Sequence, residues 1–403
     1  MEWDWLSFLA LVGLCGGHTA LVIGAANRLH GLPFRWNTLR ITRAVHDMFL
    51  VAFPAGLFWF SGVNGPRILW GRNWSQLPPW LLGYLGACAI AAMAVPLIAI
   101  RRGTARRLDA LISNHSQTRD IAHELGHRPV GDGRHRWLAR LPGNELFQVQ
   151  VSEKSYRVPG LPAEWDSLSV LHVSDFHLSG TPDVEYFERL MKLGSDLRPD
   201  LVAFTGDLLD REDLLGWLPH TLGRITAPLG CYFVLGNHDW YLGRVEETRR
   251  TLRDLGWCDV AGRCITRDVH GHLLAIGGSE RPWMGSHPDF DVAPADALRL
   301  LLSHTPDNIS WARRQRVDLM LAGHNHGGQV RLPIFGPVFS PSVFGCRYAS
   351  GVFWEPPTLL YVNRGISGVH PWRWRCPPEL TKLVLRQSSN ATLMTGQHSD
   401  TER

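Results

Sequence analysis

From Trp5 to Asn27 the chain carries no Asp, Glu, Lys or Arg, and Trp80 to Ile100 is likewise uncharged. Crossing a hydrocarbon core takes about 20 apolar residues. Helices apolar on every face need lipid, or a large core, around them. Each stretch is therefore read as a membrane span rather than as a buried hairpin of a soluble domain. Met48 to Val63 is shorter and holds Pro54, which makes it a weaker span, so the chain has two or three. Trp3, Trp5, Trp70, Trp74 and Trp80 flank the spans, as aromatic belts do. His18 sits inside the first span, where a bond to a neighbouring helix is expected.

The N-terminus reads Met-Glu-Trp-Asp-Trp, acidic where a cleaved signal peptide is basic. Arg28, Arg35, Arg40 and Arg43 lie between the first and second spans, and Arg101, Arg102, Arg106 and Arg107 follow the third. Only Arg67 and Arg72 lie between the second and third. With three spans, the positive-inside rule puts the N-terminus outside and everything after Arg101 in the cytoplasm, in a multi-pass protein of the cell inner membrane. The net charge of +4 is mild and gives no nucleic-acid signal. The seven cysteines show no CxxC pairing and read as thiols of a reducing compartment.

Residues 108–150 are polar and read as a juxtamembrane connector with a little helix. Within them, His123-Glu124-Leu125-Gly126-His127 matches the HExxH pattern of zinc peptidases, with Glu145 at a spacing that a third ligand tolerates. Gly126 weakens a helix there from inside, and Pro129 and Gly131 end it. A zinc peptidase using His123 and His127 and a solvated helix end are the two readings of this segment.

From Ser167 the pattern becomes short apolar runs alternating with amphipathic ones. Strands are expected at Leu168–Val173, Asp200–Thr205, Cys231–Leu235, Leu298–Leu302 and Val317–Leu321, and helices at Val184–Leu197 and Val245–Leu255. Strands alternating with helices imply an α/β architecture. Each of the five strands ends in a polar cluster containing Asp, Asn or His. Ligand sites in open α/β sheets form beyond the carboxyl ends of strands, so these clusters converge on one edge. Carboxylates, an amide oxygen and imidazoles together suit Mn, Fe or Zn. Any single cluster could be a turn with a capping residue; five in order, each after a strand, point to a metal site.

Asp175-Phe176-His177, Gly206-Asp207, Gly236-Asn237-His238-Asp239, His304 and Gly323-His324-Asn325-His326 resemble the motif series of the calcineurin-like metallophosphoesterases. Ser303-His304-Thr305-Pro306-Asp307 and the Gly-Gly-Gln-Val after His326 resemble its bacterial, often membrane-associated phosphodiesterase branch. The resemblance covers roughly Leu168 to Leu385. It implies two mixed β-sheets sandwiched between helices, and two divalent metal ions. Asp175, His177 and His326 resemble ligands of the first ion and Asn237, His304 and His324 those of the second. Asp207 resembles the carboxylate that bridges them. His238 resembles the histidine that touches the phosphate and protonates the leaving oxygen, with Asp239 orienting it.

The expected organisation is a membrane segment at 1–107, the connector at 108–150, a metallophosphoesterase domain at 151–388 and a disordered tail at 389–403. Gly277-Gly278-Ser279-Glu280 departs from the acidic Gly-x-Asp-Asp turn of the branch, and Asn363 in Tyr361-Val362-Asn363-Arg364-Gly365 replaces its usual Ser. Arg364 is expected either at phosphate or in a surface salt bridge. His172, His270, His272 and His287 lack motif context and are taken as structural. The expected substrate is a phosphorylated small molecule or lipid carrying a phosphodiester or pyrophosphate bond. Some members of the branch cleave UDP-diacylglucosamine in lipid A biosynthesis. The apolar loop around Ile334, Phe335, Val338, Phe339, Val343 and Phe344 could receive acyl chains, or fold as a buried hairpin. A non-catalytic membrane scaffold is the reading from another class, opposed by ligands at every motif position.

Overall fold

The computed structural model describes residues 3–71, 73–104 and 110–388. The tail 389–403 and the junction at 107/108 lie outside the described residues. The chain forms two compact units, Met1–Arg106 with Leu332–Gly345, and Arg107–Arg331 with Cys346–Arg403.

The first unit holds three helices long and apolar enough to cross a membrane: Trp5–His30, Trp36–Asn64 and Pro79–Ile100. Asp4 caps the first, accepting from the Leu6 and Ser7 N–H groups at 3.1 and 3.3 Å, so the acidic start serves the exposed donors of a helix end. The middle helix starts well before the apolar run. Pro54 lies inside it and supplies no N–H, which interrupts the ladder. The turns that follow, Leu57–Asn64, widen to a π-helix instead of stopping. His18 meets the expectation: its Nδ1 lies 2.6 Å from the Tyr84 hydroxyl, and its Nε2 lies 3.0 Å from the Phe49 carbonyl oxygen. A Cβ at Gly17 would sit 1.8 Å from the Cys88 carbonyl oxygen, so the first and third helices touch backbone to backbone.

The segment Leu332–Gly345 belongs to this helical unit. The Asn27 side chain grips its middle, donating to the Val338 carbonyl and accepting from the Ser340 N–H, each at 3.0 Å. Phe339 packs edge-on to His30, with ring centroids 5.7 Å apart. The segment is no buried hairpin, since Ile334 is 88% exposed and Phe335, Phe339 and Val343 are also exposed.

The second unit is built on two mixed sheets. The first contains β1 (Leu111–Asp120), β2 (Gln148–Pro159), β3 (Ser169–Val173), β4 (Leu201–Thr205), β5 (Cys231–Val234) and β6 (Cys258–Asp259). The second contains β7 (Cys264–Val269), β8 (His272–Ser279), β9 (Leu298–Ser303) and β10 (Leu319–Ala322). A short ribbon, β11 (Arg331–Leu332) with β12 (Gly336–Pro337), precedes β13 (Gly351–Glu355), β14 (Thr358–Val362) and β15 (Glu379–Ser388). The orders are β1-β2-β15-β3-β4-β5-β6 and β13-β14-β10-β9-β8-β7. Strands β3 to β6 run parallel, as do β8, β9, β10 and β14.

Alternation along the strands sets the layers. Leu201, Ala203, Tyr232 and Val234 join Leu300, Leu302, Leu319 and Leu321 in one core cluster between the sheets. Val202, Phe204 and Phe233 join Tyr186, Phe187, Leu190 and Met191 of the helix Val184–Asp196 on the other side. The five predicted strands and two predicted helices all form, with ends shifted by a residue or two.

The stretch read as a connector is a correction. Leu111–Asp120 is a strand at the edge of the first sheet, antiparallel to β2. Most of its residues are exposed, so no apolar face marks it in the sequence.

Candidate metal centre

Every motif residue sits just past the carboxyl end of a parallel strand. Asp175 and His177 follow β3, Asp207 follows β4, Asn237 to Asp239 follow β5, His304 follows β9, and His324 and His326 follow β10. The loops after β3 and β4 stay laced beyond the strands. The N–H groups of Asp175, His177 and Leu178 donate to the carbonyls of Gly206, Asp207 and Leu208 at 2.9–3.0 Å. Asp175, His177, Asp207, His324 and His326 all have φ between 48° and 68°. This left-handed region is costly for residues with a Cβ and is held only where surrounding bonds over-determine it. Gly323 and Gly236 answer to space: a Cβ would lie 1.9 Å from Ser174 Oγ at the first and 2.1 Å from Asp207 Oδ1 at the second.

The side chains converge in two groups that share Asp207. One is Asp175, His177, Asp207 and His326; the other is Asp207, His304 and His324, and in each the donor atoms lie within 4.8 Å of one another. His177 Nε2 and His326 Nε2 lie 3.1 Å apart. Asp207 Oδ2 is 3.4 Å from His177 Nε2, and its Oδ1 is 3.3 Å from His304 Nε2. The amide oxygen of Asn237 is 2.9 Å from His304 Nε2.

The rings are aimed from behind. His304 Nδ1 faces the Thr205 carbonyl at 2.8 Å, His326 Nδ1 the Ser367 carbonyl at 3.2 Å, and His177 Nδ1 the Asp210 carboxylate at 3.0 Å. An Nδ1–H given to such an acceptor leaves the Nε2 lone pair facing inward, the arrangement that metal-binding histidines use. Arg373, fully buried, donates to the carbonyls of His326, Arg364 and Ser367, which fixes the backbone carrying His326. The donor set therefore fits a pair of divalent transition metals.

A comparison with protein-family models matches residues 168–328 to the calcineurin-like phosphoesterases. The metallophosphoesterase YkoQ of Bacillus subtilis is 30% identical over 221 residues, covering 52% of this chain and 79% of YkoQ. The chain belongs to the calcineurin-like phosphoesterase family. The metallophosphoesterase YkuE of the same bacterium is 29% identical over 260 residues, covering 61% of this chain and 88% of YkuE. The UDP-2,3-diacylglucosamine pyrophosphatase LpxG of Chlamydia muridarum is 28% identical over 302 residues, covering 60% of this chain and 90% of LpxG. This calcineurin-like phosphoesterase is thus a metal-dependent phosphoric ester hydrolase with a dinuclear divalent metal centre, associated with a membrane through its apolar helices. The scaffold reading is set aside.

The peptidase reading fails on geometry. The helix Ile121–Leu125 ends at Gly126, whose φ is 77°, so His127 leaves the face that carries His123. Glu124 is engaged by Arg119 and Arg189, and Glu145 accepts from the Cys376 N–H at 2.8 Å. Arg364 is not at a phosphate site or on the surface: it pairs with buried Glu379 at 3.2 Å. Glu280, in the departing turn, is buried between Arg249 and the Leu235 N–H.

The carboxylate bonded to the His238 ring is that of Asp210, where Asp239 was expected. Asp239 accepts from the N–H groups of Gly236, Leu208 and Leu209 at 2.8–3.2 Å, tying two loops together. His238 Nδ1 bonds Asp210 at 2.7 Å, and the other Asp210 oxygen holds His177. Trp283, also absent from the motif reading, packs its ring on His304 and His324.

Burial raises the Asp175 carboxyl, with His304 pulling it back. Burial also opposes ionisation of Asp207 and Asp210, but the facing imidazoles outweigh it and hold both well below the usual carboxylate range. Burial lowers His238, yet Asp210 and Asp207 raise it to about 9. Because Asp210 holds both His177 and His238, Asp210→Asn is expected to weaken metal binding about 10–100-fold, the scale for losing a partner behind a ligand. Chelator competition followed by elemental analysis measures it, and affinity equal to wild type would remove Asp210 from the centre.

Proposed function

We propose that this enzyme hydrolyses a phosphodiester or pyrophosphate bond in a lipid-linked substrate at the membrane. The observation that carries the chemistry is Asp207, with one oxygen toward His177 and the other toward His304. On this reading Asp175, His177 and His326 would hold one ion, Asn237, His304 and His324 would hold the second, and Asp207 would serve both. Mn, Fe or Zn suits these donors. Two such ions, when bound, offset charge on phosphoryl oxygens and lower the pKa of water.

The protein's own contribution is proton placement. Burial disfavours the charged form of His238, and the facing Asp210 and Asp207 carboxylates favour it, which suits a proton donor. The bond from His238 to Asp210 commits Nδ1, and Nε2 is the nitrogen assigned to deliver a proton to the leaving oxygen. No side chain needs to act as a covalent nucleophile.

The lipid part of the proposal is supported by the three candidate spans and by the names of relatives from two Chlamydia species, both UDP-2,3-diacylglucosamine pyrophosphatases. Tethering raises the effective concentration of enzyme at a surface that holds acylated substrate. UDP-2,3-diacylglucosamine, a lipid A precursor, is therefore the first compound to try. The arginine distribution supports an inner-membrane, multi-pass arrangement with the catalytic domain in the cytoplasm.

Three outcomes are expected. Detergent-purified enzyme with Mn releases UMP from the acylated sugar nucleotide faster than from its non-acylated analogue. Equal turnover would remove the case for a lipid substrate. His238→Ala keeps both metals by elemental analysis but lowers kcat roughly 100-fold, the usual scale for a lost general acid. The loss shrinks with a nitrophenol leaving group; the same loss for good and poor leaving groups would end the acid assignment. A reporter active only outside the cytoplasm stays silent when fused after Leu385, and strong activity would reverse the topology.

A further inference from the structure

Inside the helical unit a cavity of about 110 Å³ opens between the helices Trp5–His30 and Trp36–Gly56, with Phe339 of the loop as part of its wall. Val22, Ile23 and Leu50 make its apolar side. The other side is polar, formed by His30, Arg43, His46 and Asp47. We propose that this cavity binds the headgroup of one anionic phospholipid.

Depth is the first argument. At 1.5 Å per residue, the 26-residue and 29-residue helices are roughly 39 and 44 Å long, against a hydrocarbon core of about 30 Å. Their ends therefore extend into the headgroup layer. His30 closes the first helix, and Arg43 lies two turns into the second. His30 follows the uncharged run Trp5–Asn27, and Arg43, His46 and Asp47 precede the uncharged run Met48–Val63, so the polar side of the cavity lies at the edge of the apolar stretches.

Chemistry is the second. Among the described residues Arg43 forms no ion pair, although Asp47 lies one turn further along the same helix. Asp47 favours a ligand that also offers a hydroxyl, as a glycerol headgroup does. His46 Nδ1 is buried with no hydrogen-bond partner among the described residues, a costly state for a polar atom. His30 spends Nδ1 on the Ala26 carbonyl at 2.8 Å and keeps Nε2 for another group. Cation, imidazoles and apolar wall together match a phosphodiester attached to a glycerol.

Size is the third. The volume lies well below the roughly 300–1,000 Å³ of pockets for drug-sized ligands, so it takes a headgroup and not a sugar nucleotide. The exposed Ile334, Phe335 and Val343 of the same loop give the lipid's acyl region an apolar neighbour. Arg28, Arg35 and Arg40 add positive charge nearby in sequence, which favours an anionic leaflet.

The test is native mass spectrometry of the full chain in detergent, given equal amounts of phosphatidylglycerol and phosphatidylcholine with identical acyl chains. The wild type is expected to retain one phosphatidylglycerol in preference to phosphatidylcholine by about fivefold or more, the effect of one basic residue near an anionic group. Arg43→Gln is expected to erase the preference. His46→Phe fills the cavity and is expected to lose retention altogether, which covers the case in which one variant fails to fold. Both should keep two metals by elemental analysis. Equal retention of the two lipids by wild type, or wild-type retention by a folded variant, would overturn the site. Since the readout is lipid retention, failure here leaves the phosphoesterase reading untouched.

Discussion

Asp207 is a buried carboxylate with an imidazole at each oxygen, and the architecture around it serves to keep it ionised and in place. A buried charge is tolerable only when paired or coordinated. Here the partners arrive from strands of both sheets: His177 from β3, His304 from β9, and the His238 N–H after β5, 2.9 Å from Oδ1. Two face-to-face sheets with parallel strands ending at one edge bring these groups together without long loops. The left-handed backbone at five donor positions is the conformational cost of crowding them there.

Much of this was readable from the chain because the two signals coincide. The strands are buried on both faces, so they appear as short apolar runs, and the donor residues begin where the apolar run stops. The residues that escaped lack such a marker. Asp210 stands three positions after Asp207 behind two leucines and looks like a turn residue, yet it steers His177 and His238. Asp239 is the sequence neighbour of His238, but a helix begins at Asn237, and its carboxylate goes to backbone donors instead. Adjacency in sequence is a poor guide to adjacency of side chains at a helix start. The HExxH match failed for a related reason, since one glycine in a left-handed conformation separates the two histidines.

Elements whose partners are distant in the chain were the least visible. β15, close to the C-terminal end, lies inside the first sheet between β2 and β3, parallel to one and antiparallel to the other. Nothing local announces that placement. β1 is polar on both faces because it is an exposed edge, and an edge strand with charged and hydroxyl residues also resists pairing with other chains. The middle helix is longer than its apolar run, because helical turns on either side of Pro54 extend it.

The segment Leu332–Gly345 follows the last histidine motif by a few residues, yet Asn27, His30 and Gly31 are its neighbours in the helical unit. The chain therefore visits that unit twice. Cutting away everything before Leu111 to obtain a soluble enzyme would leave this segment behind, with the Val338 carbonyl and the Ser340 N–H deprived of Asn27 and its isoleucine and phenylalanines facing water. Such a fragment carries a ready-made sticky patch, so a soluble form of the catalytic unit has to replace Leu332–Gly345 as well as the helices.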